Sequence, residues 1–136
     1  ICKGDADVVL SFELLEAARW LPELKPGGTI VTSTQQINPM PVITGAAEYP
    51  DGIVDDMKML GVDVRACDAP ALAEKAGNIK ASNVALIGLA AHVLGFDHDI
   101  LRNAVAACVP AKALEVNMKA FDLGFEHKDD AESCCD

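Results

Sequence analysis

The sequence predicts an α/β fold, with a mostly parallel sheet between helices in three α/β/α layers and a C-terminal half that is helical. Three observations carry this. Residues 7–34 read strand, helix, tight turn, strand, and two strands joined through a helix lie parallel with a right-handed crossover. A further helix and strand follow between residues 50 and 67. Beyond Pro70, every periodic apolar segment has helical spacing. That order is Rossmann-like.

Each element has its own reason. Val8, Val9 and Leu10 run continuously rather than alternating, as in a strand buried on both faces. Leu14, Ala17, Ala18 and Leu21 then recur at helical spacing. Lys25-Pro26-Gly27-Gly28 is turn chemistry, and the β-branched residues 29–34 make a second strand. Residues 35–50 have no periodicity and hold Pro39, Pro41, Gly45 and Pro50. A loop of this length in a compact domain is usually functional, and its apolar Ile37, Met40, Val42 and Ile43 predict an ordered, docked segment. Pro50-Asp51 opens a short helix with Ile53, Met57 and Leu60 on one face, ended by Gly61. Val62, Val64 and Ala66 alternate with Asp63, Arg65 and Cys67, which predicts a half-exposed strand near the sheet edge.

The helical half begins with residues 70–76, with Pro70 in the first turn and Gly77 at the stop. Ser82 or Asn83 is the expected cap of residues 84–94, which are apolar nearly all round and so buried. Gly88, Ala91 and Gly95 would permit close backbone approach. Asp97 caps the next helix, with Phe96 and Leu101 in staple positions. Pro110 starts the last helix, whose face is Leu114, Met118 and Phe121 and which Gly124 closes. Residues 126–136 form an acidic tail with five acids and one Lys.

The 136 residues are one domain's worth of chain, and 51% are hydrophobic, enough for a core and too many for a disordered chain. Mean hydropathy is +0.21. Eleven basic residues face 21 acids, a net charge of −10. Nucleic-acid binding needs clustered bases, so that class is excluded, and an aromatic fraction of 4% argues against base stacking. The longest apolar run, residues 84–96, carries His92 and falls short of the roughly 20 residues of a membrane span. Five cysteines, Cys67 and Cys108 among predicted buried elements, read as reduced thiols in a cytoplasmic protein.

These residues, taken in order, resemble a known family. Residues 6–13 (Ala-Asp-Val-Val-Leu-Ser-Phe-Glu), Glu16-Ala17 and residues 24–29 (Leu-Lys-Pro-Gly-Gly-Thr) resemble the gamma component of 2-oxoacid:acceptor oxidoreductases. Thr34-Gln35-Gln36-Ile37, Pro39-Met40-Pro41-Val42, Gly45 and Tyr49-Pro50 sharpen this toward the beta subunits of indolepyruvate ferredoxin oxidoreductases, members of the pyruvate ferredoxin oxidoreductase-like family. Ala76-Gly77-Asn78, Asn83-Val84, Val109-Pro110, Val116-Asn117 and Lys119-Ala120-Phe121 continue the likeness. The resemblance implies a subunit of a complex that decarboxylates a 2-oxoacid oxidatively, transfers the acyl group to coenzyme A and passes electrons to ferredoxin. It implies that thiamine diphosphate, magnesium and iron–sulfur clusters sit on a partner alpha subunit, with ferredoxin an indirect partner. It further implies a gamma-type domain over residues 1–125, lacking its opening βα unit, followed by the tail at 126–136.

The residues offer little chemistry of their own. There is no Cys-x-x-Cys run for a cluster and no zinc spacing. Cys134-Cys135 near His127 reads as a solvated tail, and no metal site or catalytic residue is expected. Gly4-Asp5-Ala6 is a turn before a strand, not the Gly-Asp-Gly of a thiamine site. His92 reads as a packed or interface histidine, His98 as exposed, and Glu13 and Glu16 as a helix-face pair. Ser11-Phe12-Glu13 and Ser33-Thr34-Gln35-Gln36 end neighbouring parallel strands, where open α/β sheets bind ligands. Ser11, Glu13, Ser33, Thr34, Gln35 and Gln36 are therefore the ligand-contact candidates, with Ser11 alternatively a helix cap. Ile37, Pro39, Met40, Pro41 and Tyr49 are the partner-interface candidates. The competing readings are a fragment of a Rossmann-like methyltransferase and a silent binding or assembly module. The methyltransferase fold requires a terminal strand hairpin where this sequence predicts helices.

Overall fold

A computed structural model describes residues 1–127. The chain divides into two compact units, the first ending at Val64 and the second beginning at Arg65. In the first, β1 (Ala6–Ser11), α1 (Leu14–Arg19), a 3-10 turn (Leu21–Glu23) and β2 (Leu24–Ser33) form the expected βαβ unit. It continues through α2 (Met40–Ile43) and α3 (Ile53–Met59) to β3 (Asp63–Cys67), the strand that carries the chain across the boundary. The sheet order is β1-β2-β3. β1 and β2 are parallel, with Val9 opposite Ile30 and Ser11 opposite Thr32. Thr29 Oγ1 donates to Asp63 Oδ2 at 3.0 Å.

The core of this unit joins Leu14 and Ala17 of α1, Ile30 of β2, Ile53 and Met57 of α3, and Val64 of β3. Leu60 was expected beside Ile53 and Met57 but is 72% exposed. The helix ends one residue earlier with Leu60 as its C-cap, so helical spacing no longer places it. β1 also departs from two-faced burial. It lies at the edge of the described sheet, and Leu10 is 40% exposed.

The predicted turn at 25–28 is part of β2. Ala6 pairs with Leu24 and Val8 with Thr29, so β2 bulges between them. Gly27 holds φ +78 inside the bulge, where a side chain would be strained. A Cβ on Gly28 would lie 2.9 Å from the Asp7 carbonyl oxygen. A Lys25–Asp7 ion pair spans the same place. The loop at 35–50 is irregular as expected, apart from the single turn of α2.

The described part of the second unit contains α4 (Ala69–Ala76), α5 (Ser82–Val93), α6 (His98–Cys108) and α7 (Leu114–Phe125), with 3-10 turns at Ile79–Ala81 and Ala111–Ala113. No strand follows β3 among the described residues, which removes the feature the methyltransferase reading required. Asp68 caps α4, accepting from Ala71 N, and Asp97 caps α6, accepting from Ile100 N. Neither Ser82 nor Asn83 caps α5. Asn78 Oδ1 accepts from Lys80 N one turn earlier, and that turn runs on into the helix.

α5 and α7 meet backbone to backbone. A Cβ on Gly88 would overlap the Phe121 carbonyl oxygen, and one on Gly124 would overlap that of Ala85. Gly124 is therefore inside α7, not its stop, and Gly95 meets nothing. Leu86, Leu89, Met118 and Phe121 are buried, whereas Leu114 is 39% exposed. α6 buries none of its residues. Cys67 is buried as expected, but Cys108 at the end of α6 is exposed. His98 is not free in solvent: it lies between Asp99 and Asp122 and packs on Phe125, ring centroids 4.7 Å apart. His92 is exposed and meets Phe125 edge-on. No described helix is long and apolar enough to cross a membrane. Cys134, Cys135 and all but Glu126 and His127 of the predicted tail lie outside the described residues.

Candidate functional site

β1 and β2 end side by side at Ser11 and Ser33, as the pairing of Ser11 with Thr32 requires. Both serines are buried and both serve the chain. Ser11 Oγ donates to the Glu13 carbonyl at 2.7 Å, and Ser33 Oγ accepts from Gln35 N at 3.2 Å. Leu14 N donates to the Gln35 carbonyl at 2.9 Å, so the segment leaving β2 is sewn to the start of α1. Thr34, Gln35 and Gln36 have exposed side chains.

The centre of this end is Glu13. It is the N-cap of α1, with Oε2 accepting from Glu16 N at 2.8 Å. Its Oε1 accepts from Ile37 N at 3.1 Å and from the Tyr49 hydroxyl at 2.5 Å. The Tyr49 oxygen in turn accepts from Leu15 N at 3.1 Å. One carboxylate therefore gathers the helix start and both ends of the loop. Glu13 and Glu16 are not a helix-face pair: Glu13 stands before the helix and is buried, and Glu16 pairs with Arg19 at 2.6 Å. The sequence offered Ser11 as the alternative cap of this helix, but the cap is Glu13, although Glu is an uncommon N-cap. The available signal was a Glu three residues ahead of Glu16 with a lone Tyr at the far end of an apolar loop.

Burial alone would raise the Glu13 pKa. Hydrogen bonds from Tyr49 and from the amides of Glu16, Ile37 and Leu15 outweigh it and hold the carboxyl below its ordinary value. Tyr49 is pushed up to about 12, by burial first and then by the Glu13 carboxylate. At neutral pH the pair is a carboxylate and a neutral phenol. General acid–base catalysis favours groups that titrate near working pH, and neither does. The arrangement holds and orients; it is not poised to move a proton.

Beside it runs a cleft of about 770 Å³ along β1. Val8, Leu10, Phe12 and Trp20 give it apolar walls, and Ser11, Glu13, Glu16 and Glu23 are its polar lining. Phe12 is 44% and Trp20 56% exposed. Few polar groups on an apolar wall are what small-molecule sites offer. Of the ligand-contact candidates, Ser11 and Glu13 line this cleft, whereas Ser33, Thr34, Gln35 and Gln36 do not. On the loop, Ile37, Met40 and Ile43 are each more than half exposed, Pro41 is exposed and Pro39 half-buried. Tyr49 is half-buried and its hydroxyl is committed to Glu13. Among the described residues no three His, Cys, Asp or Glu side chains gather as a metal site would require.

Comparison with known proteins gives the chain its family. The indolepyruvate oxidoreductase subunit IorB of Thermococcus kodakarensis is 41% identical over 129 residues, which are 90% of this chain and 63% of that protein. Its namesake in Pyrococcus horikoshii is 40% identical with the same coverage. The chain thus spans less than two thirds of the length of these relatives. Among solved structures, the keto/oxoacid ferredoxin oxidoreductase gamma subunit of Geobacter sulfurreducens superposes with a TM-score of 0.65 over 90% of this chain and 64% of that one, at 21% identity, a likeness of fold. Residues 1–127 match the pyruvate ferredoxin/flavodoxin oxidoreductase family, and the chain belongs to that family.

Proposed function

We propose that this chain is a gamma-type portion, over residues 1–125, of a subunit of a 2-oxoacid ferredoxin oxidoreductase acting on indolepyruvate or related aryl pyruvates. The reaction is oxidative decarboxylation to an acyl-coenzyme A with electrons passed to ferredoxin. Thiamine diphosphate, magnesium and iron–sulfur clusters belong to a partner alpha subunit in the cytoplasm, and this chain positions and assembles. The family match and the names of its relatives support the reaction class. The observation that carries the chain's own part is the loop between Ile37 and Tyr49. Glu13 anchors it at both ends while Ile37, Met40 and Ile43 remain exposed, a fixed apolar surface of the kind that marks an interface. The cleft along β1, with Ser11 and Glu13 in its lining, is the proposed contact for the thioester-forming co-substrate.

The test is anaerobic copurification with the full-length chain as bait, followed by assay of the recovered complex. The expected result is a brown, thiamine-containing partner and ferredoxin reduction that is fastest with aryl pyruvates and needs coenzyme A. Recovery of bait alone, or equal inactivity with all 2-oxoacids, would overturn the reading.

A further inference from the structure

We propose that the exposed loop docks on a protein face that combines an apolar socket for Met40 and Ile43 with lysines or arginines set opposite Glu48 and Asp51. This rests on the reading of the loop as the assembly surface and adds the chemistry of its partner.

The loop is a built surface rather than a slack connection. Val42 N donates to the Pro39 carbonyl at 2.9 Å, and the Pro41 carbonyl accepts from Ala46 N at 2.8 Å and Ala47 N at 3.0 Å. The second half of the loop therefore folds back on α2, and Glu48 follows directly. Tyr49 turns inward, its hydroxyl on Glu13 at 2.5 Å, while its neighbours Glu48 and Pro50 are exposed. One compact piece of backbone thus presents two exposed apolar side chains, Met40 and Ile43, with a carboxylate at its edge.

Charge divides sharply along this stretch. Residues 26–47 contain no charged side chain, whereas residues 48–58 hold four acids, Glu48, Asp51, Asp55 and Asp56, against Lys58. All four acids are exposed, and none has an ion pair among the described residues. Unpaired acids elsewhere, such as Glu74 and Glu126, stand singly along the chain. Asp55 and Asp56 lie in the first turn of α3, where acids stabilise a helix. Glu48 and Asp51 precede it, and no side chain caps α3, so the helix uses neither carboxylate as a cap.

Opposite charges across an interface set partner choice and speed encounter. A second copy of this chain would bring the same acids and another net charge of −10, and like charges repel. A wholly apolar partner face would strip water from both carboxylates and give no counter-charge. A basic rim around an apolar socket answers both halves of the surface.

The test measures association of the full chain with its copurified partner. Wild type is compared with E48K/D51K and with E74K/E126K, which changes the net charge equally at exposed positions on α4 and at the end of α7. E48K/D51K should bind about tenfold more weakly or worse, with most of the loss in the association rate. Raising salt from roughly 50 to 300 mM should slow wild-type association severalfold and leave that of E48K/D51K nearly unchanged. E74K/E126K should match wild type. Thermal melts of each variant check that the fold is intact. Full binding by E48K/D51K, with loss in Met40→Asp, would overturn the basic rim and leave the loop as the docking surface. Full binding by both would overturn the docking reading as well. Equal loss in E74K/E126K would trace the effect to net charge and overturn the assignment to this edge. A chain that sediments alone as a dimer, and that Met40→Asp turns into a monomer, would put a second copy on this surface instead.

Discussion

Glu13 organises the strand end because a carboxylate has enough lone pairs to accept from several donors at once, and the chain delivers them. The Tyr49 hydroxyl and the amides of Ile37 and Glu16 all reach it within 3.1 Å. Glu13→Gln keeps the shape but turns an –NH₂ toward groups that also donate. We expect it to cost about 2 kcal/mol, in the range for hydrogen bonds to a charged group, read by denaturant unfolding. The pH dependence has a definite sign. The folded Glu13 pKa is depressed, so its contribution is present above the unfolded value and lost as pH falls through the folded one. The gap between wild type and Glu13→Gln should therefore be full at neutral pH and close below about pH 4. A gap constant with pH would show that packing, not charge, sets it. Tyr49→Phe should cost roughly 1–2 kcal/mol, because it strips a donor from Glu13 and an acceptor from Leu15 N. It should also speed amide exchange at Ile37; unaltered exchange there would mean that the carboxylate holds the loop without the phenol.

At the scale of elements, helix and strand identities were legible because they rest on periodicity, which local sequence contains. α4 to α7 and the parallel pairing of β1 with β2 follow the pattern of Leu, Val and Ala. What was not legible depends on neighbours far along the chain. Gly124 reads as a helix stop until Ala85, 39 residues away, is seen to need the space of its missing Cβ. Gly124→Ala should accordingly destabilise by more than about 2 kcal/mol despite the better helix propensity of Ala, because the overlapped atom is backbone and cannot rotate away. A melting temperature at or above wild type would deny the close crossing. The site was half legible for the same reason: Ser11 and Ser33 lie where strand ends predict, but Glu13 acquired its role from Tyr49, 36 residues on. α6, with no buried residue, is fastened to α7 by charge. Arg102 grips Asp122 at 2.7 and 3.1 Å, and His98 reaches Asp122 at 3.1 Å and Asp99 at 2.9 Å. The hydrogen bond to Asp99 raises the His98 pKa, burial opposes it, and Asp122 adds to the rise. A raised histidine pKa stabilises below the unfolded value and fades as pH climbs through the folded one. The stability lost in His98→Gln should thus be largest near about pH 5.5, shrink toward about pH 8.5, and stay under about 1 kcal/mol for so exposed a pair. Thermal melts across that range decide it; a difference that grows with pH would reverse the assignment.

For the molecule as a whole, the question is what the exposed apolar surface is for. A chain with a net charge of −10 resists nonspecific association, because like-charged copies repel. Apolar side chains kept outside against that background need a reason. Met40 and Ile43 are 68% and 65% exposed, on a turn of helix that Pro39 and Pro41 help to fix. Exposure this high means that neither contributes much to folding, so substitution separates docking from stability. Met40→Asp should leave the thermal melt of the chain within a few tenths of a kcal/mol, as surface changes do. It should weaken association with the copurifying partner by at least about tenfold, the loss of one buried contact near the middle of an interface. Met59, 84% exposed on α3, is the matched comparison, and Met59→Asp should leave association unchanged. Elution of the complex, measured for both variants at equal concentration, reads the difference directly. If Met40→Asp elutes with its partner as wild type does, the loop is not the docking surface. If both substitutions break the complex equally, added charge rather than position is responsible. Only loss at Met40 with retention at Met59 ties assembly to the segment that Glu13 holds in place.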